Sequence, residues 1–356
     1  MKFVFAAALL GFGLLGFSDE MEAPTSNIQD DGSTYDVVYI EQNDDFEAYV
    51  FQGVGYRYDR QVNKIFYFGD PSILNTKIDT TGRNSAQMVL GIGTCYKGFF
   101  LKAQGDYGWM INGTQGILNP GNNIDEPTFF PGFELGAGYT ADAQASFGYD
   151  WRAVKTCDFE FGIVPAVGYK YWHLMNWRKG EKRYDLPVPP VILPAVLTGF
   201  AVDRAMGPEQ QDWFGPYVEG GLNVSWTDTV RLDLFYQYHF LDARAKSTAA
   251  TDIYVFFPAT TLVSQQTYRF DNLLKTNKAY GQVGGVNLSF NLDCGWNLGL
   301  HFEGSRLWSH KATMTIKTTK NEYVLAPVGL TETKTRSHST VSWTIYSTNL
   351  YASYSF

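Results

Sequence analysis

The stretch Leu350-Tyr351-Ala352-Ser353-Tyr354-Ser355-Phe356 sets Leu350, Ala352, Tyr354 and Phe356 on one face of an extended chain and Tyr351, Ser353 and Ser355 on the other. A period of two belongs to a strand, whose successive side chains leave on opposite sides. One face is apolar and the other small and hydroxylated, so one meets lipid and the other water. This reads as the closing strand of an outer-membrane β-barrel, with Phe356 as the terminal signal for the barrel-assembly machinery.

Upstream the alternation recurs in nine more segments, at about 46–58, 85–94, 98–110, 139–151, 158–173, 214–226, 229–244, 278–291 and 295–312, and the closing strand starts near 339. The segment 229–244 is the clearest: Val230, Leu232, Leu234, Tyr236, Tyr238 and Phe240 face out, while Arg231, Asp233, Phe235, Gln237 and His239 face in. A slip of one residue would put Arg231 in lipid at roughly 2–4 kcal/mol near the midplane. Connections alternate between turns of a few residues and five long stretches, at about 60–84, 111–138, 174–213, 245–277 and 313–338. Short periplasmic turns and long extracellular loops are the asymmetry of bacterial barrels. The fold class is therefore all-β, a closed antiparallel transmembrane barrel of about ten strands, with eight or twelve as the alternatives.

Met1-Lys2 followed by the apolar run Phe3 to Phe17 and the small residues of Gly16-Phe17-Ser18 predicts a signal peptide over 1–18. An acidic, patternless arm follows over 19–44, and the barrel over 45–356. No later run approaches the 18 or so apolar residues of a spanning helix, so an envelope protein of this composition spans as a closed barrel or does not span at all. The 23 Tyr, 26 Phe, 9 Trp and 35 Gly suit aromatic girdles and tight turns, and a mean hydropathy of -0.20 suits half-lipid, half-water strands. A net charge of -8 excludes nucleic acid as a partner, since phosphate contacts need a basic surface.

The segment ending Gly105-Asp106-Tyr107-Gly108-Trp109-Met110, the segment from Gly138-Tyr139-Thr140-Ala141-Asp142-Ala143 to Tyr149-Asp150-Trp151, and Phe214 to Trp226 resemble the omptin superfamily of barrel proteases and adhesins. Length, proline-rich loops and turn cysteines look most like the Protochlamydia outer membrane protein family, which includes porin-like major envelope proteins. The omptin resemblance implies a catalytic Asp pair in the second long loop and an Asp-x-His in the fourth. Here those places read Asn119-Pro120-Gly121-Asn122-Asn123-Ile124, with Asp125 and Glu126 adjacent, and Ser247-Thr248-Ala249-Ala250-Thr251-Asp252. No histidine lies in the fourth loop to serve as a base, so no catalytic residue is assigned and no enzyme is expected. The five histidines lack the paired spacing of a metal site, and no cofactor is expected.

The informative chemistry is inward. The alternation predicts a lumen lined by Glu47, Arg57, Lys102, Asp106, Asp142, Asp150, Glu160, Lys170, Glu219, Arg231, Asp233, His239, His301 and Glu303. A ten-stranded barrel lies between the filled eight-stranded and the open sixteen-stranded kinds. Inward glycines such as Gly53, Gly91, Gly162, Gly168, Gly281, Gly285 and Gly299 thin the filling and tilt the reading toward a narrow water-filled pore. The function this predicts is a porin-like channel for small hydrophilic solutes and an abundant envelope component. The alternatives are a non-conducting adhesin or structural barrel working through its loops, and an omptin-type endoprotease.

Cys95, Cys157 and Cys294 fall in or beside predicted periplasmic turns, in a compartment where disulfides persist. The turns of Cys95 and Cys157 are about two strand spacings apart, roughly 10 Å, beyond an unstrained disulfide. Disulfide links to other envelope proteins are expected, as the chlamydial resemblance also implies; outer-membrane lipid is the remaining partner. Each long loop also carries an apolar cluster around a proline, as in Ile65 to Leu74 and Phe129 to Phe133, which predicts a shared lid over the barrel mouth.

Overall fold

The computed structural model describes residues 46–67, 70–119, 128–156, 158–179, 184–186, 199–227, 229–256, 262–292, 295–324 and 326–356. The expected signal peptide and acidic arm lie outside them. The strands, in chain order, are β1 (Glu47–Tyr67), β2 (Asp70–Tyr96), β3 (Phe99–Asn119), β4 (Thr128–Tyr149), β5 (Trp151–Lys155), β6 (Phe159–Lys179), β7 (Tyr184–Leu186), β8 (Gly199–Trp226), β9 (Val230–Phe256), β10 (Leu262–Asn291), β11 (Trp296–Val324) and β12 (Ala326–Ser355). Ten of them are long and close into an antiparallel ring in the order β1-β2-β3-β4-β6-β8-β9-β10-β11-β12, while β5 and β7 are short additions beside β6 and β8.

The ring is sealed between β1 and β12, in continuous register from Tyr49 opposite Ser355 to Ile65 opposite Ser339. Phe356 donates its backbone N–H to Ala48 at 2.9 Å and accepts one from Ala48 at 3.3 Å, so the terminal aromatic completes the ladder. Leu350 and Phe356 are exposed on the outer wall and Ser353 is buried inside, as the alternation predicts. At the periplasmic end β2 and β3 are joined by Lys97-Gly98, both at positive φ (52° and 81°). That two-residue geometry matches the twist of a hairpin, and glycine takes the second position without strain.

The strands run far past their predicted ends. β9 to β12 are 27 to 30 residues long, against about 10 needed to cross a bilayer. Much of each long outer stretch is itself paired strand, in which the pattern inverts; on β12 it does so while the register with β1 stays unbroken. On β12 the outward positions Tyr346, Leu350 and Tyr354 are apolar, but farther up they become Thr344, Ser342 and Thr340. The inward positions do the reverse: Ser347, Asn349 and Ser353 below, Ile345, Trp343 and Val341 above. Within the bilayer the outer face must be apolar; above it the outer face meets water and the interior becomes an ordinary dry core.

Candidate functional site

The lumen has two zones. Near the outer side, Trp172 and Leu174 of β6, Trp213 of β8, Leu241 of β9, Val283 of β10, Leu307 of β11 and Trp343 of β12 pack into one cluster. The three tryptophans are no more than 1% exposed. Contacts within and around this layer cross the lumen. The Trp213 and Trp343 rings are 6.3 Å apart although their strands are four steps apart around the ring of ten. Gln211 of β8 donates to Gln61 of β1 at 2.5 Å from five steps away, the full diameter. Gln61 also accepts from Arg83 of β2 at 2.7 Å, and Gln211 donates to Glu209 at 2.7 Å. This hydrogen bond bridges the lumen between strands on opposite sides of the ring.

Below this layer lies the charged network. Arg57 is 2% exposed and holds Asp59 of its own strand at 3.0 Å and Asp142 of β4 at 2.5 Å. Its guanidinium lies over Trp343, 5.6 Å from the ring centre, and the Trp343 indole N–H donates to Asp59 at 2.9 Å. The charged and the dry zones are thus bolted together. Lys170 of β6 reaches Glu303 of β11, four steps around the ring, at 2.8 Å, and its ammonium stands 5.0 Å from the Trp172 ring centre. His301 approaches Glu303 at 3.9 Å. His239, wholly buried, meets Gln237 at 3.0 Å and packs on Tyr217 and Trp172. Gln237 in turn donates to Glu219 at 2.6 Å.

Toward the periplasm the packing loosens. Arg231 pairs with Asp233 at 2.7 Å, and their side chains are 43% and 28% exposed. Arg231 also faces Asp150, which accepts from Asn223 at 2.6 Å. Lys102 stands over Phe51 at 5.2 Å, and Asp106 accepts from Gln104 at 3.1 Å. Glu160 belongs to the rim, paired with Lys155 at 3.3 Å and Arg152 at 3.7 Å, and Glu47 is exposed at the same end. Twelve of the fourteen predicted lining residues thus form a graded interior, and Glu160 and Glu47 mark its mouth.

Four of the seven inward glycines are covered rather than open. Rings from neighbouring strands lie over them: Phe51 over Gly91, Tyr217 over Gly168, Phe235 over Gly285 and Tyr351 over Gly299. Each glycine gives up its side chain so that a ring can lie flat against the wall, and the space is filled rather than freed. Gly285→Ala is expected to displace Phe235 from its stack on His301, 5.7 Å away, at about 1–3 kcal/mol. In Gly220→Ala the added carbon meets nothing within 4 Å, and urea unfolding of that variant should match the parent.

Gln61, Arg83, Glu209, Gln211, Trp172, Trp213 and Trp343 were absent from the sequence-derived lining, although they lie in or beside the layer whose contacts cross the lumen. Most sit beyond the apolar-out segments; the available signal was the parity swap along β12. Cys95 is a free thiol, partly buried, on the face of β2 that Gly91 and Gly93 turn toward Phe51 and Tyr49. Cys157 and Cys294 lie outside the described residues, as do most side chains of the five proline-centred clusters. Ser247 to Asp252, where the omptin resemblance placed an Asp-x-His, continues β9 in pairing with β8 and β10.

A closed ring with an apolar outer band, aromatic edges and a polar interior defines a bacterial outer-membrane β-barrel protein. The chain belongs to the Protochlamydia outer membrane protein family, whose model matches residues 52–356. No curated protein matches its sequence. Among solved structures it is similar to the outer membrane protease OmpT of Escherichia coli, at 11% identity and a TM-score of 0.55, over 87% of this chain and 97% of that one. It also aligns with the toluene transporter TodX of P. putida, at 10% identity and a TM-score of 0.27, over 87% and 90% of the two chains. The likeness to OmpT shows the fold alone.

Proposed function

We propose that this outer-membrane barrel is closed in its resting state and acts as a structural, surface-displaying component of the envelope rather than as an open pore or a protease. The observation that carries this reading is the cross-lumen contact between Gln61 and Gln211, made beside a layer of three buried tryptophans. Strands that outrun the bilayer supply a rigid stalk, with a dry core of its own, on which outer connections can be displayed. The porin-like channel is the second reading, favoured by the partly exposed Arg231 and Asp233 at the periplasmic end. Conduction would require the tryptophan layer to move. Planar-bilayer recording separates the two: discrete steps from the parent protein favour the channel, and silence favours the closed barrel.

A further inference from the structure

We infer that the lipid-facing wall carries a binding groove for one acyl chain of an outer-leaflet lipid whose phosphate head is net anionic. Gly284 of β10 and Gly304 of β11 are direct ladder partners, flanked on the same row by Tyr236 of β9 and Tyr346 of β12. Two adjoining hollows, of about 480 and 630 Å³, share these glycines and Tyr346. The lower hollow is walled by Val286 and Phe302, and the upper one reaches Arg60 and Arg306. The two absent side chains therefore leave a slot in the wall between Tyr236 and Tyr346.

Its depth in the membrane follows from the strand. Arg306 stands ten residues above the exposed Trp296 on β11, which at about 3.3 Å per residue and a tilt of 35–45° is roughly 25 Å, the height of the apolar band. Tyr280 and Trp308 pack together 6.2 Å apart beside it, an aromatic pair suited to the headgroup level. Arg306 has no carboxylate partner among the described residues, and Arg60 shares its charge with Asp79 at 3.1 Å. The slot thus offers an apolar floor in the outer leaflet and cationic groups where a lipid phosphate would lie. Charge at this end selects an anionic head over a zwitterionic one.

Native mass spectrometry of the refolded full barrel, titrated in micelles with dioleoyl phosphatidylglycerol or dioleoyl phosphatidylcholine, tests this. The parent should retain one phosphatidylglycerol in preference to phosphatidylcholine by about tenfold. Arg60→Gln with Arg306→Gln should erase the preference, and Gly284→Leu with Gly304→Leu should release both lipids. An added carbon at either glycine meets nothing nearer than 3.6 Å, so the filled groove leaves the fold intact, checked by unchanged mobility of unheated barrel on gels. Equal retention of phosphatidylglycerol by the parent and the leucine variant would overturn the proposal. So would a dimer that the leucine variant dissolves, which would make this wall an interface between two copies.

Discussion

Arg57→Met is expected to lower the unfolding free energy by about 3–5 kcal/mol. The guanidinium is buried between Asp59, which is wholly buried, and Asp142, which is nearly so. Removing it strands two carboxylates in a buried site, and desolvation of an unpaired charge exceeds the net worth of the pair that held it. Adding Asp142→Asn should restore a large part of the loss, since Asp59 keeps its bond from the Trp343 indole. Urea unfolding followed by tryptophan fluorescence measures both. Additive losses in the double variant would show that the two groups are energetically independent, against the geometry.

The second large effect concerns the dry layer. Trp213→Ala with Trp343→Ala removes the two facing rings that meet across the barrel, 6.3 Å apart. Each large-to-small change in a packed core costs about 3–5 kcal/mol, and neighbouring rings do not add simply. The functional consequence is sharper than the loss of stability. With both rings gone, the vestibule around Arg231 and Asp233 can connect to the outer side, and the variant should conduct where the parent does not. Lumenal carboxylates outnumber basic groups among the lining residues, so the opened path should favour cations. A variant that stays folded and silent would mean that the glutamine bridge beside the tryptophans closes the barrel alone.

The membrane half of the fold was legible because a bilayer imposes one rule on every strand: apolar out, polar in. Val230 to Phe240 obeyed it, and so did Leu350 to Phe356, whose Leu350, Tyr354 and Phe356 are exposed and whose Ser353 is buried. Above the membrane the rule reverses. Trp343, Val341 and Ile345 turn inward beside outward Thr344 and Ser342, and where the same swap falls beyond the apolar-out segments, as at Met314, buried beside exposed Thr313, the alternation reads as loop. Parity tells which way Lys170 and Glu303 point, but not that they meet at 2.8 Å from strands four steps apart. An absent side chain looks like space until the ring beside it is placed, as Phe235 is over Gly285.

The most direct test of a closed barrel is planar-bilayer recording of the refolded parent protein beside the Trp213→Ala, Trp343→Ala variant under identical salt and voltage. The closed lumen predicts a flat trace from the parent in independent preparations, and discrete cation-selective steps from the variant. Reproducible discrete steps from the parent itself, at the frequency of the variant, would contradict it.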